Sequence, residues 1–84
     1  MNKNVIKKYA DNITKEDILK FAESENVSIS NNELNVIYYI IKNKQDEILN
    51  EDFYEFISNY KLDFNPILFN KIIEKYEKYK KFID

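Results

Sequence analysis

The chain has 84 residues, a formal net charge of −2 and an apolar fraction of 44%, which suits one small domain with a packed core. It contains no Gly, no Cys and no His, and all 13 of its basic residues are Lys. These absences exclude a disulfide framework, thiolate chemistry and His-based catalysis, and they argue against an all-β fold, whose tight turns depend on Gly.

The first residues of the chain lack the apolar core segment of a signal peptide. The longest apolar run covers residues 36–41, far fewer than the roughly 20 residues that span a bilayer. The negative net charge predicts no general attraction to nucleic acid or to an anionic membrane. We therefore expect a single cytoplasmic domain over residues 1–84 that has no membrane partner.

Four helix-start signals divide the chain. In a hydrophobic staple, the apolar residue before an N-cap packs against the fourth helical residue and fixes how the chain enters the helix. This pattern surrounds Thr14, Ser30, Asn50 and Asn65, whose side-chain oxygens are suited to accept backbone N–H groups of the first turn. Together with a short N-terminal helix over residues 3–11, the four starts predict a compact all-α bundle with main helices over residues 15–25, 31–43, 51–60 and 66–82.

The start at Ser30 carries the most complete signal, because Glu33 stands where its carboxylate completes a capping box with the Ser30 N–H. Asp17 occupies the equivalent position after Thr14, with a shorter side chain. The last start is followed by Pro66 at the first helical position, where the missing N–H costs nothing.

The helix over residues 31–43 is predicted to be the central one. Its apolar side chains cover most of its circumference, and only Asn35, Tyr39 and Lys42 share a sector that faces water. A helix that is apolar nearly all round is normally buried among other helices.

Two segments are predicted to end helices. Asn26 is suited to a left-handed stop, and Val27 supplies the apolar contact that commonly follows such a stop. Residues 43–47 are predicted to form a polar connector between the central helix and the next one.

Acidic side chains cluster near the start of the 51–60 helix, at Asp46, Glu47, Glu51, Asp52 and Glu55. A calcium loop needs oxygen ligands at alternating positions and a Gly at its sharp turn, and this segment has neither. Negative charge near a helix start is typical of a favourable interaction with the helix dipole. We expect no metal site and no cofactor.

Catalytic chemistry has few candidates in this chain. The serines have no His to activate them, and without Gly there is no loop of the kind that cradles a phosphate. We expect that the protein is not an enzyme.

The seven Tyr and six Phe exceed what a small core requires. Exposed aromatic residues are enriched at protein interfaces. Four of them are predicted to contact another cytoplasmic protein, or a second copy of the chain in a homodimer: Tyr39, Phe53, Phe56 and Tyr60. The composition thus favours a protein–protein interaction module.

The last helix suggests an alternative function. It carries Lys71, Lys75 and Lys78 with Tyr79, a combination that suits phosphate contacts and base stacking in weak nucleic-acid binding. Interleaved Glu residues dilute this positive face, and no Arg is present for bidentate base recognition. Nucleic-acid binding is therefore the less favoured interpretation.

Three motifs in the first half of the chain resemble one known family. They are Asn12-Ile13-Thr14, Asp17-Ile18-Leu19-Lys20-Phe21-Ala22, and Val27-Ser28-Ile29-Ser30 with Glu33. They are similar to those of the YqfT-like family, short uncharacterised proteins of low-GC Gram-positive bacteria, and the similarity continues through Ile48-Leu49-Asn50-Glu51 and the closing helix. The Arg residues that such proteins often carry on later helices are missing here. The resemblance implies a small helical fold and a cytoplasmic location, and it supplies no activity or site residues.

Overall fold

The structure, a computed structural model, describes residues 3–50 and 52–83, apart from the side chains of Lys3, Asn50, Tyr79, Phe82 and Ile83. Across these ranges the chain forms six α-helices and one 3-10 turn, and no strand. The helices are α1 (Lys3–Asn12), α2 (Lys15–Ser24), α3 (Asn31–Asn43), α4 (Gln45–Asn50), α5 (Phe53–Ser58) and α6 (Pro66–Ile83), with the 3-10 turn at Lys61–Asp63. The all-α prediction is confirmed.

Three of the four predicted helix starts are confirmed in atomic detail. Thr14 and Ser30 each form a complete capping box, in which the side-chain oxygen accepts the N–H of the third helical residue and that residue's carboxylate accepts the N–H of the cap. At the start of α6, the Asn65 side-chain oxygen accepts the Leu68 N–H at 2.8 Å. Local side-chain chemistry therefore fixes where α2, α3 and α6 begin.

The end of α2 follows the predicted left-handed stop. Asn26 has a φ of 56°, and its N–H donates to the carbonyl of Glu23 at 3.0 Å. The Val27 N–H donates to the carbonyl of Ala22 at 2.9 Å, and both of these side chains are buried. This pair of bonds with an apolar contact is a Schellman motif, which satisfies two of the orphan carbonyls at the helix end.

The predicted start at Asn50 is wrong. Asn50 is the last residue of α4, and the cap of α5 is Asp52, whose carboxylate accepts the N–H of Tyr54 at 3.0 Å. Asp is as good an N-cap as Asn. Moving the start to Asp52 leaves the preceding segment free to form α4, whose Ile48 packs against the core.

The polar connector predicted over residues 43–47 is consequently reduced to the single residue Lys44 between α3 and α4. The end of the predicted 51–60 helix also differs. Helix α5 ends at Ser58, not at residue 60, and the chain continues through Tyr60 into the 3-10 turn.

The main core cluster joins buried residues from three helices, α3, α5 and α6, and from two connections. Its buried members are Val27, Ile40, Phe53, Ile57, Phe64 and Leu68, with half-buried side chains from α3, α4, α5 and α6 packed around them. Helix α3 lies beside α1, α2, α4 and the 3-10 turn, so the prediction of a central helix over residues 31–43 is confirmed. The radius of gyration of 12.2 Å is close to the roughly 12 Å expected for a compact chain of this length.

The exposed sector predicted on α3 is largely as expected. Asn35 and Tyr39 face water, whereas Lys42 is half-buried. The Lys42 ammonium donates to the carbonyl of Asp11 on α1 and lies 5.5 Å from the Tyr38 ring centroid.

Glu33 ties the starts of α3 and α6 together. Its carboxylate accepts the Ser30 N–H at 2.8 Å, and it also accepts the backbone N–H and the side-chain amide of Asn65 at 2.7 and 3.1 Å. The residue is only 8% exposed. The side chain predicted to complete a local capping box thus also forms a long-range junction.

Within the described ranges, none of the helices has the length and apolar character required to cross a bilayer.

Candidate apolar binding cleft

A cleft of about 570 Å³ runs between the helices, and all six contribute to its walls. We call it the central cleft and define it by one residue from each helix: Ile6, Ile18, Ile37, Ile48, Phe53 and Ile72. The cleft is partly open to solvent, and further aliphatic and aromatic side chains complete its lining. Its volume falls within the roughly 300–1,000 Å³ range of ligand pockets in proteins.

Among the described residues that line the central cleft, two carry charged side chains, Asp17 and Lys75. The Asp17 carboxylate accepts the Thr14 N–H at 2.9 Å as part of the α2 capping box. That backbone hydrogen bond, with help from the Thr14 hydroxyl, lowers the pKa of Asp17. Lys75 is half-buried, and its ammonium lies 4.8 Å from the Phe21 ring centroid. The site therefore offers a large apolar surface with one carboxylate already engaged and one ammonium.

The apolar walls of the cleft are in contact with solvent where the cleft is open. An apolar group that entered it would remove that apolar surface from water, which is favourable.

Helix α1 forms one wall of the central cleft and is held by polar contacts. No described side chain of α1 is buried, and Val5 and Tyr9 are at least half exposed although they line the cleft. The Lys7 ammonium pairs with Asp46 of α4 at 2.8 Å, and Gln45 donates to the Asp11 carboxylate at 2.9 Å.

The pKa values of the ion-paired residues reflect this attachment. The hydrogen bond between Lys7 and Asp46, reinforced by their opposite charges, raises the pKa of Lys7 and lowers the pKa of Asp46. A wall fastened by solvent-exposed charges opens more easily than one fastened by buried apolar side chains. Helix α1 is therefore the natural route of access to the cleft.

The four residues predicted to contact a protein differ in their exposure. The prediction that Phe53 lies at a protein contact is corrected, because its side chain is only 5% exposed and its ring stacks on Tyr76 with centroids 3.8 Å apart. Phe56 and Tyr60 are half-buried, with ring centroids 5.5 Å apart, and they pack against the core. Tyr39 is 49% exposed on α3. Contacts between rings inside the fold therefore account for several of the aromatic residues that exceeded the needs of a small core.

Sequence reasoning missed two exposed aliphatic side chains near the start of α6. Leu62 in the 3-10 turn is 99% exposed, and Ile67 in the first turn of α6 is 67% exposed. The position of Leu62 carried no periodic signal, because it lies in a turn that the sequence did not predict.

The Lys residues predicted to contact nucleic acid have three different environments. Lys71 pairs with Glu74 at 3.3 Å, Lys75 lines the central cleft, and Lys78 is exposed. The Tyr79 side chain lies outside the described part of the chain.

The acidic residues weighed as a cation site are also dispersed. Asp46 pairs with Lys7 and Asp52 caps α5, while Glu51 lies outside the described residues. Among the residues that the structure describes, no three acidic side chains come close enough together to hold a metal ion.

Comparison of the chain with family models, with curated proteins and with solved structures gave no match. The resemblance to the YqfT-like family stays a prediction from the sequence, and the central cleft has to be interpreted from its own geometry.

Proposed function

We propose that this chain is a small, non-catalytic binding protein of the cytoplasm, and that its central cleft takes an apolar, chain-like guest. The observation that supports the proposal is the 570 Å³ cleft with apolar walls from all six helices. The cytoplasmic location is part of the proposal, and it is supported by a longest apolar run of six residues, far fewer than a membrane span needs.

The chemistry of the lining favours a flexible hydrocarbon chain. Such a lining supplies dispersion contacts and removes apolar surface from water, but it offers few directional hydrogen-bonding groups to orient a polar ligand. Burial of each methylene group contributes about 0.8 kcal/mol, so affinity rises about fourfold for each added methylene.

A series of unbranched primary alcohols tests this proposal without any charge on the guest. We expect calorimetric affinities for 1-heptanol, 1-octanol, 1-nonanol and 1-decanol to rise about fourfold per methylene. An affinity that does not change with chain length, or no binding to the longest alcohol, would contradict the proposal.

A matched pair of Trp substitutions tests where the guest binds. Ile37 lines the central cleft, whereas Leu62 lies outside its lining and is 99% exposed. We expect Ile37→Trp to fill part of the cleft and weaken 1-decanol binding at least tenfold, and Leu62→Trp to leave it unchanged. Circular dichroism of both variants checks that the helices are retained, and the alcohol series on the unmodified chain remains a test if Ile37→Trp does not fold.

Protein–protein interaction is the second candidate function, and the exposure of Leu62 and Ile67 favours it. A contiguous exposed apolar patch is typical of contact sites, and this candidate function requires Leu62 and Ile67 to form one. In this proposal the partner is a second copy of the chain, so Leu62→Ser with Ile67→Ser dissociates a homodimer that forms at high micromolar concentration. Sedimentation velocity of both proteins measures this effect, and a monomer at all concentrations would eliminate the homodimer.

Nucleic-acid binding has less support. Lys71, Lys75 and Lys78 do not share one environment, and Glu74 engages the first of them. Phosphate contacts release counterions, so genuine binding weakens steeply with salt. We expect no binding to single-stranded or duplex oligonucleotides at physiological salt. Micromolar binding that disappears in Lys75→Glu with Lys78→Glu would reverse this ranking.

A further inference from the structure

We propose that α1 is a lid on the central cleft, and that it closes on the guest through the side chains of Val5 and Tyr9. The inference rests on the proposed function, because it assigns to α1 a movement that is driven by binding of the apolar guest. It adds two residues that contact the guest and a conformational change on binding.

Val5 and Tyr9 line the central cleft and are nevertheless largely in contact with water. Val5 is 50% exposed and Tyr9 is 62% exposed. They are four residues apart and therefore lie on one face of the helix, which we call the α1 stripe. A guest in contact with the α1 stripe removes this exposed apolar surface from water, which favours closure of α1 onto the guest.

The polar contacts of α1 come from the other side of the helix. Lys7 pairs with Asp46, and Asp11 accepts Gln45 through its carboxylate and Lys42 through its carbonyl. With about 100° between successive residues, Lys7 and Asp11 lie roughly 160° around the helix from the α1 stripe. They are one turn apart, so their contacts follow the helix axis. A small rotation of α1 about that line can move the stripe while the contacts are kept.

The way α1 is connected allows such a movement. No described side chain of α1 is buried, and a helix of ten residues has little stability on its own. Two residues, Ile13 and Thr14, join α1 to α2, and the capping box fixes Thr14. The movement is therefore confined to α1 and Ile13. Lids are drawn from elements with this low local stability.

Hydrogen exchange of the unmodified chain tests the closure of α1. If opening of α1 removes contacts with the guest, 1-decanol slows exchange of the α1 amides, whereas a guest that stays bound while α1 opens leaves their rates unchanged. At a 1-decanol concentration of 100 times Kd, we expect exchange at least tenfold slower for the amides of residues 7–12.

Two results of this measurement would overturn the lid. The first is unchanged exchange in α1 while the methyl shifts of Ile37 and Ile72 show that 1-decanol occupies the cleft. The second is α1 amides that, in the free chain, exchange no faster than those of α3.

A matched pair of Tyr substitutions tests the contact with the guest. Tyr9 is 62% exposed and Tyr39 is 49% exposed, but Tyr39 lies outside the described lining of the cleft. Ser and Tyr have similar helix propensities, so both substitutions leave the helices intact, as circular dichroism verifies. We expect Tyr9→Ser to weaken 1-decanol binding at least fivefold in calorimetry, and Tyr39→Ser to change it less than twofold. We expect Tyr9→Phe to retain the affinity, because the ring makes the contact.

The outcomes separate this inference from the proposed function. Equal effects of Tyr9→Ser and Tyr39→Ser, or a loss of affinity in Tyr9→Phe as large as that in Tyr9→Ser, would overturn the contact of Tyr9 with the guest. In both cases, 1-decanol binding to the unmodified chain would still support the apolar guest. Failure of 1-decanol to bind the unmodified chain would overturn both proposals.

Discussion

Glu33 shows how a single buried carboxylate connects two helices. Burial opposes its ionisation and is the largest single influence on its pKa. The hydrogen bonds from the backbone N–H groups of Ser30 and Asn65, with their side chains, outweigh burial, so the pKa of Glu33 lies below its ordinary value of 4.5. The charged form is therefore the one that stabilises the junction between α3 and α6.

This shift fixes the sign of a pH dependence. A carboxylate whose pKa is lower in the folded than in the unfolded chain binds fewer protons when folded. Its contribution to the free energy of unfolding is complete above the unfolded pKa, near 4.5, and is lost as the pH falls through the folded pKa.

We expect Glu33→Gln to lower the free energy of unfolding by about 1–3 kcal/mol at pH 7, because a neutral amide accepts these hydrogen bonds more weakly and its NH₂ opposes the donors of Asn65. Urea unfolding at pH 7 and at pH 3 measures the effect. The difference between the two proteins is smaller at pH 3 than at pH 7, because the contribution of the charged form is lost as the pH falls from 4.5 through the folded pKa of Glu33. A difference that is equal at both pH values would show that the charge does not stabilise the junction.

Burial on α3 distinguishes residues that the apolar pattern treats alike. Ile40 is 5% exposed and belongs to the core cluster, whereas Ile37 is half-buried and lines the cleft. Truncation of Ile40 removes more packed contacts than truncation of Ile37.

We expect Ile40→Ala to lower the free energy of unfolding by about 2–5 kcal/mol and Asn35→Ala, an exposed control on the same helix, to change it by less than about 0.5 kcal/mol. Chemical denaturation of both variants measures these values. A loss of stability in Asn35→Ala as large as that in Ile40→Ala would contradict the assignment of the buried face of α3.

At the scale of helices, local chemistry predicted most boundaries. The starts at Thr14, Ser30 and Asn65 and the stop at Asn26 depend on side chains within three residues of the bonds they make, so the sequence contains the necessary information. The start at Asn50 failed because Asp52, two residues later, is an equally good cap. Only packing of α4 against the core decides between them, and that packing is a tertiary property.

The candidate site was much less predictable than the helices. A cleft depends on how side chains from all six helices fail to fill the space between them, and no local pattern reports such a volume. The sequence predicted Phe53 at a protein contact because the aromatic residues exceed what a small core requires. Its stacking on Tyr76 of α6 could not be inferred from residues 23 positions away in the chain.

Helix α1 differs from α3 in how it is anchored. Its described side chains are exposed or half-buried, and its ion pair with α4 is accessible to solvent and salt. We expect backbone amides of α1 to exchange hydrogen faster than those of α3, and 1 M NaCl to accelerate exchange in α1 more than in α3. Hydrogen exchange followed by NMR measures both rates. Equal protection of the two helices would exclude α1 as the route of access.

At the scale of the whole molecule, the central cleft connects ligand binding to stability. Binding of a guest to the folded chain alone raises the apparent stability, by about 2.7 kcal/mol at a ligand concentration of 100 times Kd. If the proposed guest binds there, we expect stability and ligand binding to depend on the same volume.

Isoleucine methyl groups provide the most direct test of this claim, because they occur both inside and outside the cleft. Ile18, Ile37 and Ile72 line it, whereas Ile67 is exposed and Ile73 is outside the lining. Methyl ¹³C–¹H spectra are recorded during titration with 1-decanol. We predict saturable shifts, and methyl contacts with the decanol chain, at Ile18, Ile37 and Ile72, with little change at Ile67 and Ile73. Shifts of similar size at all five residues, or none at the cleft residues, would contradict the central cleft as a binding site.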